Sequence, residues 1–159
     1  MSADLVGLDD RQAMLLALEE ARKAGQAGEV PVGAVVVHGG EVVASAGNAR
    51  ESLGDPTAHA EVLALRQAAE RLGSWRLEGA SVYVTLEPCP MCAGALVAAR
   101  VRRVVFATAD PKSGACGSLY NLCADPRLNH ELQVDFGVLE AEASQLLRGW
   151  FERRRAEGG

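Results

Sequence analysis

Four short apolar runs alternate with amphipathic segments, and this alternation restricts the chain more than any other feature. Val32–His38 (Val-Gly-Ala-Val-Val-Val-His) and Glu41–Ser45 flank Gly39-Gly40, which predicts a hairpin. Ser81–Leu86 and Val104–Thr108 are further strands, and Gln133–Phe136 is a short one. Helical periods lie between them. Residues 9–24 start at Asp9, a capping residue, and carry Met14, Leu15, Leu18, Ala21 and Arg22 at spacings of three and four. Residues 58–72 follow the initiating turn Asp55-Pro56-Thr57. Pro90 opens a third helix through about Arg100, because proline suits the first helical position. Residues 110–131, with Gly114, Gly117 and Pro126, read as loop with a short helix. Leu139 to about Arg155 is the final helix, with Leu139, Ala143, Leu146, Leu147 and Trp150 on one stripe. Strands alternating with helices predict an α/β layer with a sheet covered on both faces. The hairpin makes that sheet mixed.

At 159 residues the span 1–159 is expected to form one domain, and 48% hydrophobic residues suffice for its core. The first thirty residues lack a basic segment followed by an apolar one, and no run of eighteen apolar residues occurs. The expectation is a cytoplasmic protein with no membrane segment. Its cysteines, Cys89, Cys92, Cys116 and Cys123, are then thiols or metal ligands rather than disulfides.

Two motifs carry chemistry. His59-Ala60-Glu61 starts the second helix, and Glu87-Pro88-Cys89-Pro90-Met91-Cys92 joins a strand to the third. Cysteines three apart at a helix start share a face, so both sulfurs reach one ion, and the helix N-terminus favours them as thiolates. Two thiolates and one imidazole leave a fourth tetrahedral position free, the pattern of catalytic rather than structural zinc. Glu61 heads the inner stripe of its helix, where a carboxylate is expensive without a task. Moving a proton between an activated water and a substrate nitrogen would be one. Singly, each feature has a plainer reading: Cys-x-x-Cys is common, and His59 or Glu61 alone is an ordinary helix-start residue. Their joint occurrence favours the metal site. The rival is a four-cysteine structural site using Cys116 and Cys123. It is disfavoured because six residues separate those two, more than the usual two to four. Cys116 otherwise reads as a small buried thiol.

His-x-Glu followed by Pro-Cys-x-x-Cys is the zinc nucleobase deaminase signature. The chain resembles the bacterial tRNA-specific adenosine deaminases from about Leu8 to Arg155. The likeness is carried by Glu29–Val35, Asp55–Glu61, Leu86–Ala95, Arg103–Phe106 with Asp110–Gly114, and Leu128-Asn129-His130. The resemblance implies a three-layer α/β/α, cytidine deaminase-like fold with a five-stranded mixed sheet, working as a homodimer. It implies hydrolysis of adenosine to inosine at the wobble position of a tRNA anticodon stem-loop, with one zinc (Zn2+) per chain. His59, Cys89 and Cys92 would be the ligands and Glu61 the proton shuttle. Asn48 would hydrogen-bond the flipped base, with Val32, Leu86 and Asp110 around it and Lys112 nearby on the RNA. Without the family, Asn48 reads as a turn residue, and Val32 and Leu86 as strand core. Trp150-Phe151 stands where the family often has two phenylalanines. The competing functions are a guanine or other free-nucleobase deaminase of the same superfamily, and a non-catalytic zinc module, which Glu61 argues against.

A formal charge of −5 speaks against nucleic acid as a bulk number. The charge is uneven. Arg100, Arg102, Arg103 and Lys112 stand against Asp110 within residues 96–114, a local +3. Arg148, Arg153, Arg154 and Arg155 stand against Glu152 and Glu157 within residues 146–159, a local +2. Such a run at a helix end is often only a solvated face. Here it adjoins Trp150-Phe151, which suits an RNA loop, so Trp150, Phe151, Arg153, Arg154 and Arg155 are the expected RNA contacts.

Overall fold

An aspartate at the start and a stripe of small apolar residues define the first helix in a computed structural model that describes residues 7–158. In α1 (Asp10–Gln26), the Asp9 carboxylate accepts from the Gln12 N–H at 2.8 Å, while the Gln12 side chain accepts from the Asp9 N–H at 3.0 Å. This reciprocal cap satisfies two amides that the helix itself leaves unpaired. There follow β1 (Gly33–His38), β2 (Glu41–Gly47), the single turn α2 (Arg50–Leu53), α3 (Ala60–Leu72) and β3 (Ser81–Leu86). Then come α4 (Pro90–Ala98), β4 (Arg103–Thr108), a 3₁₀ turn at Leu122–Ala124, β5 (Gln133–Phe136) and α5 (Glu140–Gly158). Gly39 and Gly40 both have positive φ, 60° and 78°, as a tight two-residue hairpin turn requires, and His38 pairs with Glu41.

The sheet has five strands in the order β2-β1-β3-β4-β5. β1 runs antiparallel to both β2 and β3, whereas β3, β4 and β5 are parallel. Alternate side chains go to opposite layers. Ala34, Val36, Val82, Val84, Val104 and Phe106 pack with Ala64, Leu65 and Ala68 of α3 and Leu96 and Val97 of α4. Val35, Val37, Tyr83, Val105 and Ala107 pack with Ala13, Met14, Ala17 and Leu18 of α1 and Ala143 of α5. Both faces are covered, which explains why the central strands read as nearly continuous apolar runs. Gly33 and Gly47 are register partners beneath α1. A Cβ on Gly33 would strike the Ala17 carbonyl, and one on Gly47 would lie 2.8 Å from the Glu20 carbonyl, so the helix backbone rests directly on this glycine pair.

Arg103 pins the far end of the layer. Its guanidinium donates twice to Asp10 at 2.8 Å and once to Asp135 at 2.7 Å, and the Tyr83 hydroxyl donates to Asp10 at 2.6 Å. These bonds join α1 to three consecutive strands.

Besides shifts of one or two residues elsewhere, such as α1 reaching Gln26 and β2 reaching Gly47, three differences from the sequence expectations stand out. α4 stops at Ala98 rather than near Arg100, because Arg100 takes a left-handed conformation (φ 62°). Its guanidinium then donates to the Val97 and Ala98 carbonyls that the helix end leaves open. The turn α2 has no signal of its own in the sequence. α5 continues past Arg155 to Gly158.

Candidate active site

β3 delivers the chain to the site, and proline fixes how it arrives. Cys89 is the N-cap of α4, with extended backbone (φ −75°, ψ 174°), Pro90 is its first helical residue and Cys92 its third. His59 is likewise the N-cap of α3, and Glu61 sits in that helix's first turn. N-cap side chains normally accept the helix's free amides. Neither His59 nor Cys89 does so, which leaves both side chains available for something else. His59 Nδ1 lies 3.6 Å from Cys89 Sγ and 3.5 Å from Cys92 Sγ. Sulfur and nitrogen ligands at about 2.3 and 2.1 Å from one tetrahedral ion stand roughly 3.6 Å apart, so the donors fit zinc in type and in spacing. Among the described residues these three form the one cluster of metal-ligating side chains.

The electrostatics match. The Cys92 hydrogen bond, and then His59, push Cys89 down to about 4, while Cys89 and burial push Cys92 up. The hydrogen bond with Cys89 raises His59 against the opposing effect of burial. Glu61, 4% exposed, is pushed up to about 7, chiefly by burial. It stands beside the donor cluster without belonging to it.

A cavity of about 190 Å³ opens above these groups. His59, Glu61 and Cys89 line it together with Val32, Asn48 and Leu86, and Arg50, Asp110 and Ser113 also border it. Asn48 donates from Nδ2 to the Val30 carbonyl at 3.4 Å. Its Oδ1 is buried without a partner, the one such side-chain atom among the described residues. The Asp110 carboxylate accepts from the Lys112 and Ser113 N–H groups at 3.1 and 3.2 Å, which shapes the turn there.

The cavity continues into a groove of about 740 Å³, bordered by residues of both. Lys112, Arg148, Phe151 and Arg155 line the groove with Arg50. The expected aromatic and arginine contacts therefore divide. Trp150 is buried and donates from Nε1 to the Gly25 carbonyl at 3.3 Å, so it anchors α5 on α1. Phe151 is exposed, packed edge-on against Trp150. Arg155 is on the groove. Arg153 instead lines a separate cleft with Arg22, and Arg154 stacks over the Trp150 ring at 4.8 Å.

Two buried carboxylates escaped the sequence reasoning. Glu29, 2% exposed, accepts from the Glu51 and Ser52 N–H groups at 3.0 and 2.7 Å and so caps α2, whose own N-cap Ala49 has nothing to offer. Glu87, 3% exposed, holds the segment after β4. An acid set among apolar residues, one or two positions before a proline, was the available signal for each. Cys116 and Cys123 do not join the cluster. They are buried with their sulfurs 3.6 Å apart, and Cys123 together with burial pushes Cys116 up, so it stays a thiol.

A family model for MafB19-like deaminases matches residues 8–155. The chain is 51% identical over 146 residues to a tRNA-specific adenosine deaminase of Bacillus subtilis, covering 92% of this chain and 91% of that one. It is 48% identical over 140 residues to the enzyme of that name from Aquifex aeolicus, covering 88% and 92%. Among solved structures, one from work on A-to-I editing by tRNA:A34 deaminases superposes with TM-score 0.83 at 48% identity, covering 85% of this chain and 98% of that one. A guanine deaminase from Nitrosomonas europaea superposes with TM-score 0.79 at 25% identity, covering 94% and 93%.

Proposed function

This chain belongs to the tRNA-specific adenosine deaminases, and from that membership we propose that it hydrolyses adenosine to inosine at the wobble position of a tRNA anticodon, with ammonia as the other product. The observation that carries this reading is the triangle of His59, Cys89 and Cys92 with Glu61 beside it, at the base of a cavity large enough for one nucleobase.

His59, Cys89 and Cys92 would hold one zinc per chain, which when bound lowers the pKa of a water to about 7 and so provides the nucleophile at neutral pH. Glu61 takes a proton from the attacking water and gives it to the departing amino nitrogen. Its position as a buried carboxylate that is not a ligand suits that work. Asn48 borders the cavity, and its amide would offer donor and acceptor together to the edge of the base. Val32 and Leu86 give the base apolar walls. The cavity admits a base only when that base has left its stack, which an anticodon loop permits at small cost. Outside it, Lys112 and Arg155, with Arg148, place cations along the groove for phosphates, and Phe151 offers a ring for stacking. Asp110 shapes the rim. Arg153 adds charge on the other side of α5, where Trp150 fixes the helix, while Arg154 also borders a cleft with Asn48, Arg50 and Phe151.

The same reading makes the chain a homodimer in the cytoplasm, with 1–159 as one domain. None of the described helices is long and apolar enough to cross a membrane.

The test is mass spectrometry of an anticodon stem-loop carrying adenosine at position 34, before and after incubation with the zinc-loaded protein. Conversion to inosine is the expected result. Ammonia released from free guanine with the stem-loop untouched would establish the alternative that the Nitrosomonas likeness represents.

A further inference from the structure

Asp110 and Ser113 border the cavity, and with Lys112 they border the groove, yet the segment they belong to, 110–118, is part of no strand or helix of the sheet. One carboxylate holds them. Glu87 follows the last residue of β3 and precedes the ligand Cys89 by two positions. Its Oε1 accepts from the Asp110 N–H at 3.0 Å, and its Oε2 accepts from the Cys116 and Ser118 N–H groups at 3.0 and 2.9 Å. The Ser118 hydroxyl also donates to Oε1. The main chain adds two clamps, Glu87 N–H to the Thr108 carbonyl at 2.9 Å and Ala115 N–H to the Pro88 carbonyl at 2.8 Å. Gly114 lets the loop close over the acid, since a Cβ there would collide with the Glu87 carboxyl group.

We propose that Glu87 is a positioning residue for base recognition, which fixes the distance between the Leu86–Cys89 segment and the cavity-facing Asp110 and Ser113. It rests on the reading of the site given above. Four donors converge on this side chain, so the position demands a group that only accepts; a glutamine would turn an NH2 toward an N–H. No cation within salt-bridge distance pairs with it among the described residues, so the loop's donors alone offset its burial. The first residue it holds is Asp110, whose own carboxylate orders the Lys112 and Ser113 amides. A displaced Glu87 therefore moves the cavity rim and the groove's lysine together. The metal donors remain in place, because His59, Cys89 and Cys92 are set by the N-termini of α3 and α4.

The test is Glu87→Gln in the zinc-loaded protein, with zinc content, amide hydrogen exchange, and kcat and KM on the stem-loop measured side by side. Zinc should stay at the wild-type ratio. The amides of Asp110, Cys116 and Ser118 should exchange about tenfold faster, and KM should rise about tenfold with kcat nearly unchanged. Glu87→Asp, which keeps an acceptor-only group, should recover part of the KM. Should Glu87→Gln fail to fold, Ser118→Ala removes one donor and should raise KM in the same direction by about threefold. Unchanged amide protection, lost zinc, or a fall in kcat at constant KM overturns the assignment. Hydrogen exchange needs no substrate. It decides whether Glu87 holds the loop even if the wild-type protein leaves the stem-loop unmodified, which would refute the proposed function instead.

Discussion

Replacing Asn48 with alanine should make the protein more stable while disabling it. The Oδ1 atom is buried without a donor, and such an orphan acceptor costs about 1–3 kcal/mol. The amide's one bond, Nδ2 to the Val30 carbonyl at 3.4 Å, is long and contributes about 0.5 kcal/mol at most. That carbonyl keeps its other donor, the Val32 N–H at 2.8 Å, so alanine creates no new orphan. The side chain borders an existing cavity, so truncation opens little new void. The balance is a gain of about 1 kcal/mol, or roughly 3 °C in Tm for a chain of this size. On the catalytic side, Asn48→Ala removes a donor and an acceptor from the base edge, and about 1–2 kcal/mol for each of the two bonds means roughly a 30- to 900-fold loss in kcat/KM. Urea unfolding of the zinc-loaded variant and single-turnover deamination of the stem-loop measure the two halves. A variant destabilised by 1 kcal/mol or more that keeps kcat/KM within threefold would show that Asn48 serves the turn and not the base.

Three further outcomes are expected. Glu61→Gln should retain zinc and KM but lose about 10²–10⁴-fold in kcat, since it keeps the shape and removes the proton carrier; a variant that still turns over normally would sink the assigned role. Arg155→Ala should lower the slope of log affinity for the stem-loop against log salt by about 0.7, while Arg153→Ala, on the other cleft, should leave it nearly unchanged. Equal effects from the two would mean that the groove is not the RNA path. Hydrogen bonding to Arg103 holds the Asp10 and Asp135 carboxyls below their usual value of 3.8. Their folded values lie below the unfolded ones, so their contribution is complete above about pH 4 and disappears as pH falls further. Thermal unfolding at pH 6 and pH 3 should therefore show a smaller acid loss in Arg103→Met than in wild type. Parallel losses would mean that the network is not responsible.

The layered fold was legible because both of its signals are local. Apolar runs separated by Gly39-Gly40 and by capped, periodic segments specify strands and helices over a few residues. The donor set was legible for the same reason, since Cys89 and Cys92 share a helix start and His59 comes with Glu61. What was not legible depends on contacts between distant residues. The turn α2 exists because Glu29, more than twenty positions away, caps it, and nothing in Arg50–Leu53 announces that. The loop at 110–118 looks featureless until Glu87 is placed inside it. The division of the arginine run also needed the helix in place, because sequence alone cannot say that Arg155 meets the groove while Arg153 turns toward α1.

The glycine pair under α1 has an evolutionary consequence. With helix backbone seated on Gly33 and Gly47, even a methyl group on that side forces the helix off the sheet, and Asn48 is the next residue along. That side of the cavity has no freedom to drift. The opposite side is a glycine-bearing loop held by the Glu87 carboxylate and two main-chain bonds, and small substitutions there can shift it by fractions of an ångström without disturbing the core. Chains descended from a common ancestor with this architecture should therefore diverge in the bases they accept through the 110–118 segment and the end of α5, while the Gly33–Gly47 contact stays frozen as the datum against which the rest is adjusted.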